Sequence, residues 1–343
     1  MDSRGRETEA LAAAGGLNRL TAATGVEFPT IGQARQNTIL GLAERRGALR
    51  EVDRDKDAAV VLMGSWGRLE ATGMSDNDFM CLVDDKRRPA EEIRPSVEHA
   101  WEGMGKPGKL PGKKDLFGVP AFSAELRTIG LEDDSNQNLT RRMLLLLESR
   151  WVLGEEVFRK VKRNVLEDYL QDLDKDRHPP RFLLNDVFRY WRTIAVDFER
   201  KHRDRSGKEW GLRNAKLRTS RPLLFASGLL PVLECRFLRA EELLPFLEEQ
   251  FDATPIDRIA ACFLRHGRAD SGARTMLAYD AFLAILEDEK ARAELESLPH
   301  KQRESSEVYR QAKDHGYKIR EGILSLMFET PDLYAMVREY TIF

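Results

Sequence analysis

The stretch DAAVVLMGSWGRLEATGMSDNDFMCLVDD, residues 57–85, decides the fold of this chain. It contains two apolar runs, each about as short as a buried strand. The first run covers residues 57–65 and ends in Gly-Ser, and the second covers residues 77–85. A connection rich in Gly and Ser lies between them. The pattern therefore predicts two strands joined by an elaborated connection.

The segment that precedes these strands predicts helix. Residues 31–50 contain no proline. Within them, four apolar residues recur at spacings that share one face of a helix. These residues are Ile39, Leu42, Ala43 and Leu49.

The segments that follow predict one more strand and then helices. Residues 89–104 favour a helix, and residues 118–130 alternate in the manner of a third strand. Everything after Asn138 predicts helix, beginning with one long apolar helix that Gly154 ends. A later helix, over residues 209–229, is expected to break or kink at Pro222 because proline disrupts a helix interior.

These elements predict an α+β fold, in which a small mixed-sheet domain is followed by an all-helical domain. An N-terminal helical segment is expected over residues 1–54, the sheet-containing core over 55–135 and the helical domain over 136–343. The helical domain is expected to close over a cleft in the core.

Composition excludes several classes of protein. The 343 residues include 55 Lys and Arg against 57 Asp and Glu, a net charge of −2, which excludes a generally basic nucleic-acid or membrane binder. Cys81, Cys235 and Cys262 form neither a disulfide framework nor a paired zinc motif, and they favour a reducing compartment. No apolar run approaches the roughly 20 residues that a membrane span needs. A cytoplasmic protein without a membrane partner is therefore expected.

Two acidic residues stand two positions apart where the second strand begins. Residues at i and i+2 of a strand point to the same side, so Asp76 and Asp78 present their carboxylates together. Two negative charges 4 Å apart repel by about 4 kcal/mol at an intermediate dielectric constant, so a cation is expected between them. Carboxylate oxygens suit Mg²⁺, which commonly shares its coordination sphere with substrate phosphates. The pair therefore predicts a magnesium site.

The sequence Gly64-Ser65-Trp66-Gly67-Arg68 precedes Asp76 by seven intervening residues. A Gly-Ser turn exposes backbone N–H groups, permits close approach of a phosphate and adds a hydroxyl donor. The two glycines and the serine are therefore candidate nucleotide-binding residues. The arginine is a further candidate, either as a bidentate phosphate contact or as a structural ion pair.

Together, the turn and the aspartates resemble the signature of the DNA polymerase β-like nucleotidyltransferase superfamily. The pattern G-S-x-G-R-x-E followed by S-D-x-D is most similar to the uridylyltransferase of the nitrogen-regulatory PII protein. A looser similarity follows in LRT at 126–128 and LLLESRWVLGEEVF at 145–158. The resemblance is close over about residues 55–160. The residues that fit the pattern are Gly64, Ser65, Gly67, Arg68, Glu70, Ser75, Asp76 and Asp78.

The chain also departs from that family. Asn77 stands where the family often has Ile, on the strand face opposite the two carboxylates. None of the six histidines is followed by Asp, so the family's His-Asp phosphohydrolase module is not expected, nor is its ligand-sensing module. The resemblance therefore implies a stand-alone transferase without the removing activity.

The activity implied is that of a Mg²⁺-dependent nucleotidyltransferase. Such an enzyme moves a nucleoside monophosphate from an NTP to a hydroxyl on a protein or small molecule and releases pyrophosphate. Asp76 and Asp78 would hold two Mg²⁺ ions, which Mn²⁺ could replace. Superfamily members commonly add a third carboxylate on a later strand. Glu125 is the candidate for that ligand, and Asp115 is the alternative. Glu125 could instead have only a structural role, in a surface ladder with Arg127.

A basic segment in the helical domain is the other candidate part of the site. Residues 201–221 contain eight Lys and Arg against two acids, a local charge of +6. Superfamily members commonly bind the γ-phosphate with Lys and Ser or Arg from this domain, and Lys216 with Ser220 resembles that pair. A solvated helix face and a nucleic-acid surface are the alternatives. Because the charge is confined to about twenty residues, nucleic acid is not favoured.

The sequence leaves the identity of the acceptor undetermined. A synthase of a cyclic or linear nucleotide messenger in bacterial defence and a toxin-type enzyme that acts on tRNA are the alternatives to a protein- or metabolite-modifying enzyme. A non-catalytic nucleotide-binding module is a third, and the intact pair of aspartates argues against it. Nothing in the sequence separates the others, because acceptor choice depends on the shape of the cleft.

Overall fold

The fold is taken from a computed structural model. The helix expected over 89–104 and the alternative ligand Asp115 lie outside the residues that it describes. The described residues are 15–51, 57–84, 120–130, 134–171, 178–204 and 209–341.

A small four-stranded sheet and a large set of helices make the described part of the chain α+β, as predicted. The strands are β1 (Ala58–Met63), β2 (Phe79–Val83), β3 (Ala121–Phe122) and β4 (Ser149–Leu153). Their order in the sheet is β3-β2-β1-β4. β1 pairs antiparallel with both β2 and β4, and β2 pairs parallel with β3. The sheet is therefore mixed, and β1 and β2 confirm the two strands that the apolar runs predict.

Helices make up most of the remaining described chain. Among the described residues, no helix is long and apolar enough to cross a membrane. The helices are α1 (Gly16–Thr24), α2 (Pro29–Ala48), α3 (Ser123–Leu126), α4 (Asn136–Leu147), α5 (Glu155–Leu170), α6 (Arg181–Asp204), α7 (Trp210–Arg218), α8 (Ser220–Glu234), α9 (Ala240–Asp252), α10 (Pro255–Arg265), α11 (Ala269–Glu287), α12 (Glu289–Ser297), α13 (Glu307–Glu329) and α14 (Pro331–Thr341).

Both faces of the sheet are covered. Every residue of β1 and β2 is buried, which explains why their sequences are continuously apolar. Val60 and Leu62 on β1 face Leu42 and Leu49 from the α2 region. The alternate residues, such as Val61, belong to the large core that the other helices form. The sheet therefore lies between α2 and the helical part of the chain.

The buried face of α2 differs from the predicted one. Leu42 and Leu49 are buried as expected, but Ala43 is exposed. The face instead includes polar side chains such as Arg35, whose Nη2 donates to Asp257 Oδ2 on α10 over 2.8 Å. Apolar periodicity missed these positions because their polar atoms are satisfied by tertiary contacts that a local pattern does not contain.

The expectation of helix alone after Asn138 is wrong at residues 149–153. The apolar stretch is helical only to Leu147, and the following segment is β4, whose Trp151 pairs with Val61 of β1. A short apolar run fits helix and strand equally well, so the long-range pairing decides. The sheet therefore extends beyond residue 135, into the segment assigned to the helical domain.

The third predicted strand is also largely helical. Only Ala121–Phe122 pairs with β2, and Ser123–Leu126 forms the single turn α3. The Ser123 hydroxyl donates to Asp84 Oδ1 over 2.8 Å, just beyond the end of β2. The alternation over 118–130 therefore does not continue as a strand through Glu125.

The break expected in the helix over 209–229 occurs earlier than Pro222. α7 ends at Arg218 and α8 begins at Ser220, with Thr219 between them in a non-helical conformation. Pro222 lies in the first turn of α8, where a missing N–H leaves no helical hydrogen bond unmade. The proline is therefore compatible with the new helix, and the break precedes it.

Candidate functional site

The residues after β1 form a compact helical turn. Arg68 N donates to Gly64 O over 2.9 Å, and Glu70 N donates to Ser65 O over 2.8 Å. Gly64 has φ +65°, in the left-handed region that favours glycine. A side chain at Gly64 would meet no described atom within 4 Å. Gly64 therefore faces open space, as a candidate phosphate contact requires, and the half-buried Ser65 follows it.

The second glycine of the turn has a different role from the predicted one. A Cβ atom at Gly67 would lie 1.8 Å from the backbone oxygen of Glu148. The turn thus packs directly on the backbone between α4 and β4, and only glycine leaves room for this contact. Gly67 is therefore a packing residue, and the structure does not support the prediction that it contacts a phosphate.

Backbone strain also occurs in this turn. Leu69 is buried and has φ +60°, a backbone conformation that residues other than glycine rarely adopt. Glu209, which precedes α7, has φ +57° and is the only other such non-glycine residue in the described chain. Such strain persists only where the surrounding structure imposes it. The turn and the start of α7 are therefore both held by their tertiary contacts.

The residues that enter β2 alternate in burial. Asp76 is exposed and Asp78 half-buried, whereas Asn77 between them is buried. Arg45 Nη2 of α2 donates to Asn77 Oδ1 over 3.1 Å. Asp78 O accepts from Met63 N over 2.9 Å, which places it beside the end of β1. Asn77 therefore contacts α2, and the two aspartates beside it are more exposed than it is.

The loop before Asp76 is anchored to the helical part of the chain. Arg292 of α12 donates from Nη2 to Met74 O over 3.2 Å, and from Nη1 to Thr72 Oγ1 over 3.5 Å. Thr72 N also donates to Ser75 Oγ over 2.9 Å. The position of the aspartates therefore depends on a helix more than 200 residues along the chain.

The Arg68 guanidinium forms ion pairs with two carboxylates. Its Nε donates to Glu70 Oε2 over 2.9 Å, and its Nη1 forms a short ion pair with Glu148 Oε2. Burial opposes the charge, but Glu148 and then Glu70 outweigh it and hold the pKa of Arg68 well above its usual value. Of the two roles proposed from the sequence, the structure supports the structural ion pair.

Side chains from three helices contact the charge cluster of Arg68, Glu70 and Glu148. Tyr190 of α6 donates to Glu148 Oε1 over 3.1 Å, and Tyr279 of α11 donates to Glu70 Oε2 over 2.9 Å. Burial and then the neighbouring carboxylate raise the pKa of each phenol well above its usual value, so both stay protonated donors. Arg221 of α8 lies farther out, with Nη1 at 3.6 Å from Glu148 Oε1.

Lys216 of α7 lies among other basic side chains. The residue is half-buried, and the pKa of its amine is about 8, lowered first by burial and then by the charges of Arg292, Arg221 and Arg68. The charge of Asp76 acts in the opposite direction, which places Lys216 within electrostatic reach of that carboxylate. Basic groups therefore surround Lys216, and a bound anion would relieve their mutual repulsion.

Ser220 does not share a helix face with Lys216, because the helix breaks between them. It is buried, and its hydroxyl donates to the backbone oxygen of Lys216 over 3.3 Å. The structure therefore does not support pairing Ser220 with Lys216 on one phosphate-binding surface. Its side chain instead joins the end of α7 to the start of α8.

Glu125 lies at the wrong end of β2 for the predicted metal site. β3 runs parallel to β2 and pairs Phe122 with Val83, so the chain after Phe122 lies beyond the end of β2. Asp78 precedes the start of β2, about 16 Å away at 3.3 Å per residue. Glu125 is exposed, and its charge acts on Arg141. The structure therefore does not bring Glu125 to the aspartates.

A separate group of potential metal ligands lies in the helical part of the chain. Glu234, Cys262 and His266 bring ligand atoms within 4.8 Å of one another. Arg265 already donates to both oxygens of Glu234, over 2.9 and 2.5 Å. With one ion-paired carboxylate and a thiol, this group does not suit Mg²⁺, which prefers oxygen ligands. It lends no support to the predicted magnesium site.

Most of the residues that hold the site together were not predicted from the sequence. The glutamate between α4 and β4 lies in the stretch 145–158 that the sequence singled out, and Arg221 lies in the basic segment, so both carried a signal. The tyrosines and Arg292 carried none, because their contacts connect positions far apart in the chain. The missed residues are Glu148, Tyr190, Arg221, Tyr279 and Arg292.

The chain matches no protein-family model, no curated protein and no solved structure.

Substitution of Gly67 by alanine is expected to destabilise the fold. The new methyl group would overlap the backbone oxygen of Glu148, which cannot move aside as a side chain can, so we expect a loss of about 3 kcal/mol or more. Urea unfolding measures the change. Gly73→Ala is the matched control, because Gly73 is an exposed turn residue whose added Cβ would meet nothing within 4 Å. Equal stability of the two variants would contradict the close packing of Gly67.

Proposed function

We propose that this protein is a Mg²⁺-dependent nucleotidyltransferase of the DNA polymerase β-like type. It would transfer a nucleoside monophosphate from an NTP to a hydroxyl on a protein or small molecule and release pyrophosphate. One observation carries the proposal: Asp76 and Asp78 flank the buried Asn77 at the entry to β2, and Lys216 of the helical part lies within electrostatic range of Asp76. A carboxylate pair opposite a cluster of cations suits a metal-bound triphosphate.

The donor set fits magnesium. Asp76 and Asp78 offer hard carboxylate oxygens, and both are more exposed than the buried Asn77 between them. When bound, Mg²⁺ would neutralise phosphate charge and lower the pKa of the acceptor hydroxyl. The described residues supply two carboxylates for this role. Glu125 is no longer proposed as the third, and Asp115 lies outside the described residues.

The protein's own groups would bind and orient the triphosphate. Lys216 and Arg221 supply positive charge from the helical side, where Lys216 would contact the terminal phosphate. Gly64 leaves open space beside the turn, so a phosphate can approach the backbone N–H groups there. Arg68 and Ser220 would act indirectly, because the first fixes the turn and the second fixes the helix that carries Lys216.

Loss of either aspartate is expected to abolish turnover without unfolding the protein. Asp76→Asn and Asp78→Asn each remove a negative charge that the metal needs. Purified protein would be incubated with Mg²⁺ and each radiolabelled NTP, and pyrophosphate release and labelled products would be measured. Glu125→Gln is the control, since it removes a carboxylate from the opposite end of β2. Turnover in both aspartate variants would refute the site, and oligonucleotides formed without an acceptor would identify a messenger synthase instead.

A side chain at Gly64 is expected to obstruct the nucleotide. Gly64→Val should weaken ATP binding at least tenfold, about 1.4 kcal/mol, in isothermal titration calorimetry. Valine is also strained at positive φ, so strain needs its own control. Gly267 has φ +66° and equally open surroundings, and it follows α10 in the helical part. Gly267→Val should lose stability but keep ATP affinity; equal affinity in the two variants would remove Gly64 from the phosphate site.

The affinity for ATP is expected to fall as pH rises through about 8. Lys216 is charged below its pKa of about 8 and neutral above it, and only the charged form attracts phosphate. Between pH 7 and 9 the dissociation constant should therefore increase about tenfold, one factor of ten per pH unit beyond the pKa. Calorimetry at both pH values measures the change. Lys216→Arg should remove most of it, because arginine stays charged; an unchanged pH dependence in Lys216→Met would assign it to another group.

A further inference from the structure

An aromatic group lies between α6 and α8, the two helices that also carry Tyr190 and Arg221. Trp191 of α6 and Phe225 of α8 stack, with ring centroids 5.4 Å apart and 28° between the ring planes. Phe188 packs its edge against Phe225 at 5.4 Å and 61°. All three rings are half-buried, so they keep exposed ring surface. Trp66 and Trp210, by contrast, are buried in the core.

Contacts on both helices connect this group to the site. Arg221 precedes Phe225 by four residues on α8, and side chains four residues apart share one side of a helix. Arg221 Nη1 lies 3.6 Å from Glu148 Oε1. Tyr190, the neighbour of Trp191 on α6, donates to the same oxygen over 3.1 Å. Phe225 therefore continues the side of α8 that carries Arg221, and Trp191 stacks on Phe225 from α6.

We propose that Trp191 and Phe225 bind the nucleobase of the nucleoside triphosphate. This inference rests on the proposed function, in which Lys216 and Arg221 bind the phosphates. An NTP carries a flat, weakly polar base at the end opposite its phosphates, so its site needs an aromatic or apolar surface beside the cations. The stacked pair is that surface, because it continues the same side of α8 beyond Arg221.

Recognition by stacking has a consequence for substrate choice. Every nucleobase has a π-face, so the stacked rings of Trp191 and Phe225 can hold any of the four bases. They would distinguish the bases by the area of the base ring rather than by hydrogen bonds at the base edge. The inferred substrate class is therefore a nucleoside triphosphate with a preference for purines, and it includes more than one NTP.

The test separates binding of the base from binding of the phosphates. ATP and inorganic tripolyphosphate, each with Mg²⁺, would be titrated calorimetrically into the wild-type protein and Trp191→Leu, which keeps an apolar contact to Phe225. We expect ATP affinity to fall about five- to a hundredfold, the range for loss of a stacked base, and tripolyphosphate affinity to stay unchanged. Trp191→Phe should retain most of the ATP affinity.

A second tryptophan provides the control. Trp151 of β4 is also half-buried, and its ring contacts the Arg46 guanidinium at 3.7 Å from its centroid rather than the site. Trp151→Leu should bind both ligands as the wild type does. If Trp191→Leu is unfolded by circular dichroism, Phe225→Leu replaces it, because loss of either ring disrupts the platform.

The failures of the two proposals are distinguishable. Wild-type affinity for ATP in Trp191→Leu overturns the nucleobase site alone and leaves the proposed function standing. An equal loss of affinity for ATP and tripolyphosphate also overturns it, since the ring would then affect the basic side chains that bind the phosphates. If the wild-type protein binds neither ligand, the proposed function fails and the nucleobase site fails with it.

Discussion

The ion pairs of Arg68 with Glu70 and Glu148 are the interaction on which the rest of the site depends. A largely buried guanidinium between two carboxylates fixes the direction of the chain after β1, since each carboxylate belongs to a different part of the backbone. Tyr190 and Tyr279 then bind the same carboxylates from two helices. Removal of one partner from a buried ion pair typically costs about 3–5 kcal/mol, so these contacts constrain the turn strongly. The turn and the helices around it are therefore positioned by one cluster of charge.

The sequence was sufficient for those features that depend on local order. β1 and β2 are continuously apolar because both faces of the sheet are covered, and the alternation of Asp76, Asn77 and Asp78 follows from strand geometry. Both could be predicted without any knowledge of distant contacts. The α+β class followed from the same runs and from the long helical segments after them.

Features that depend on distant partners could not be predicted. β4 is a strand because β1 is available to pair with it, although its sequence is equally suitable for a helix. Glu125 was misplaced because a period-2 pattern continued past the point where the chain turns into α3. Arg292 gave no signal at all, since its contact with Met74 spans more than 200 residues. These differences all arise from tertiary contacts that override local propensity.

The pairing of β4 with β1 joins the aspartate-bearing segment to a later part of the chain. One strand of the sheet, β4, comes from beyond residue 148. The part of the chain with the aspartates therefore has no complete sheet of its own. Tyr279 adds a hydrogen bond from a helix still farther along the chain. The aspartate-bearing segment is therefore not an exchangeable module, because residues of the helical part complete both its sheet and its buried hydrogen bonds.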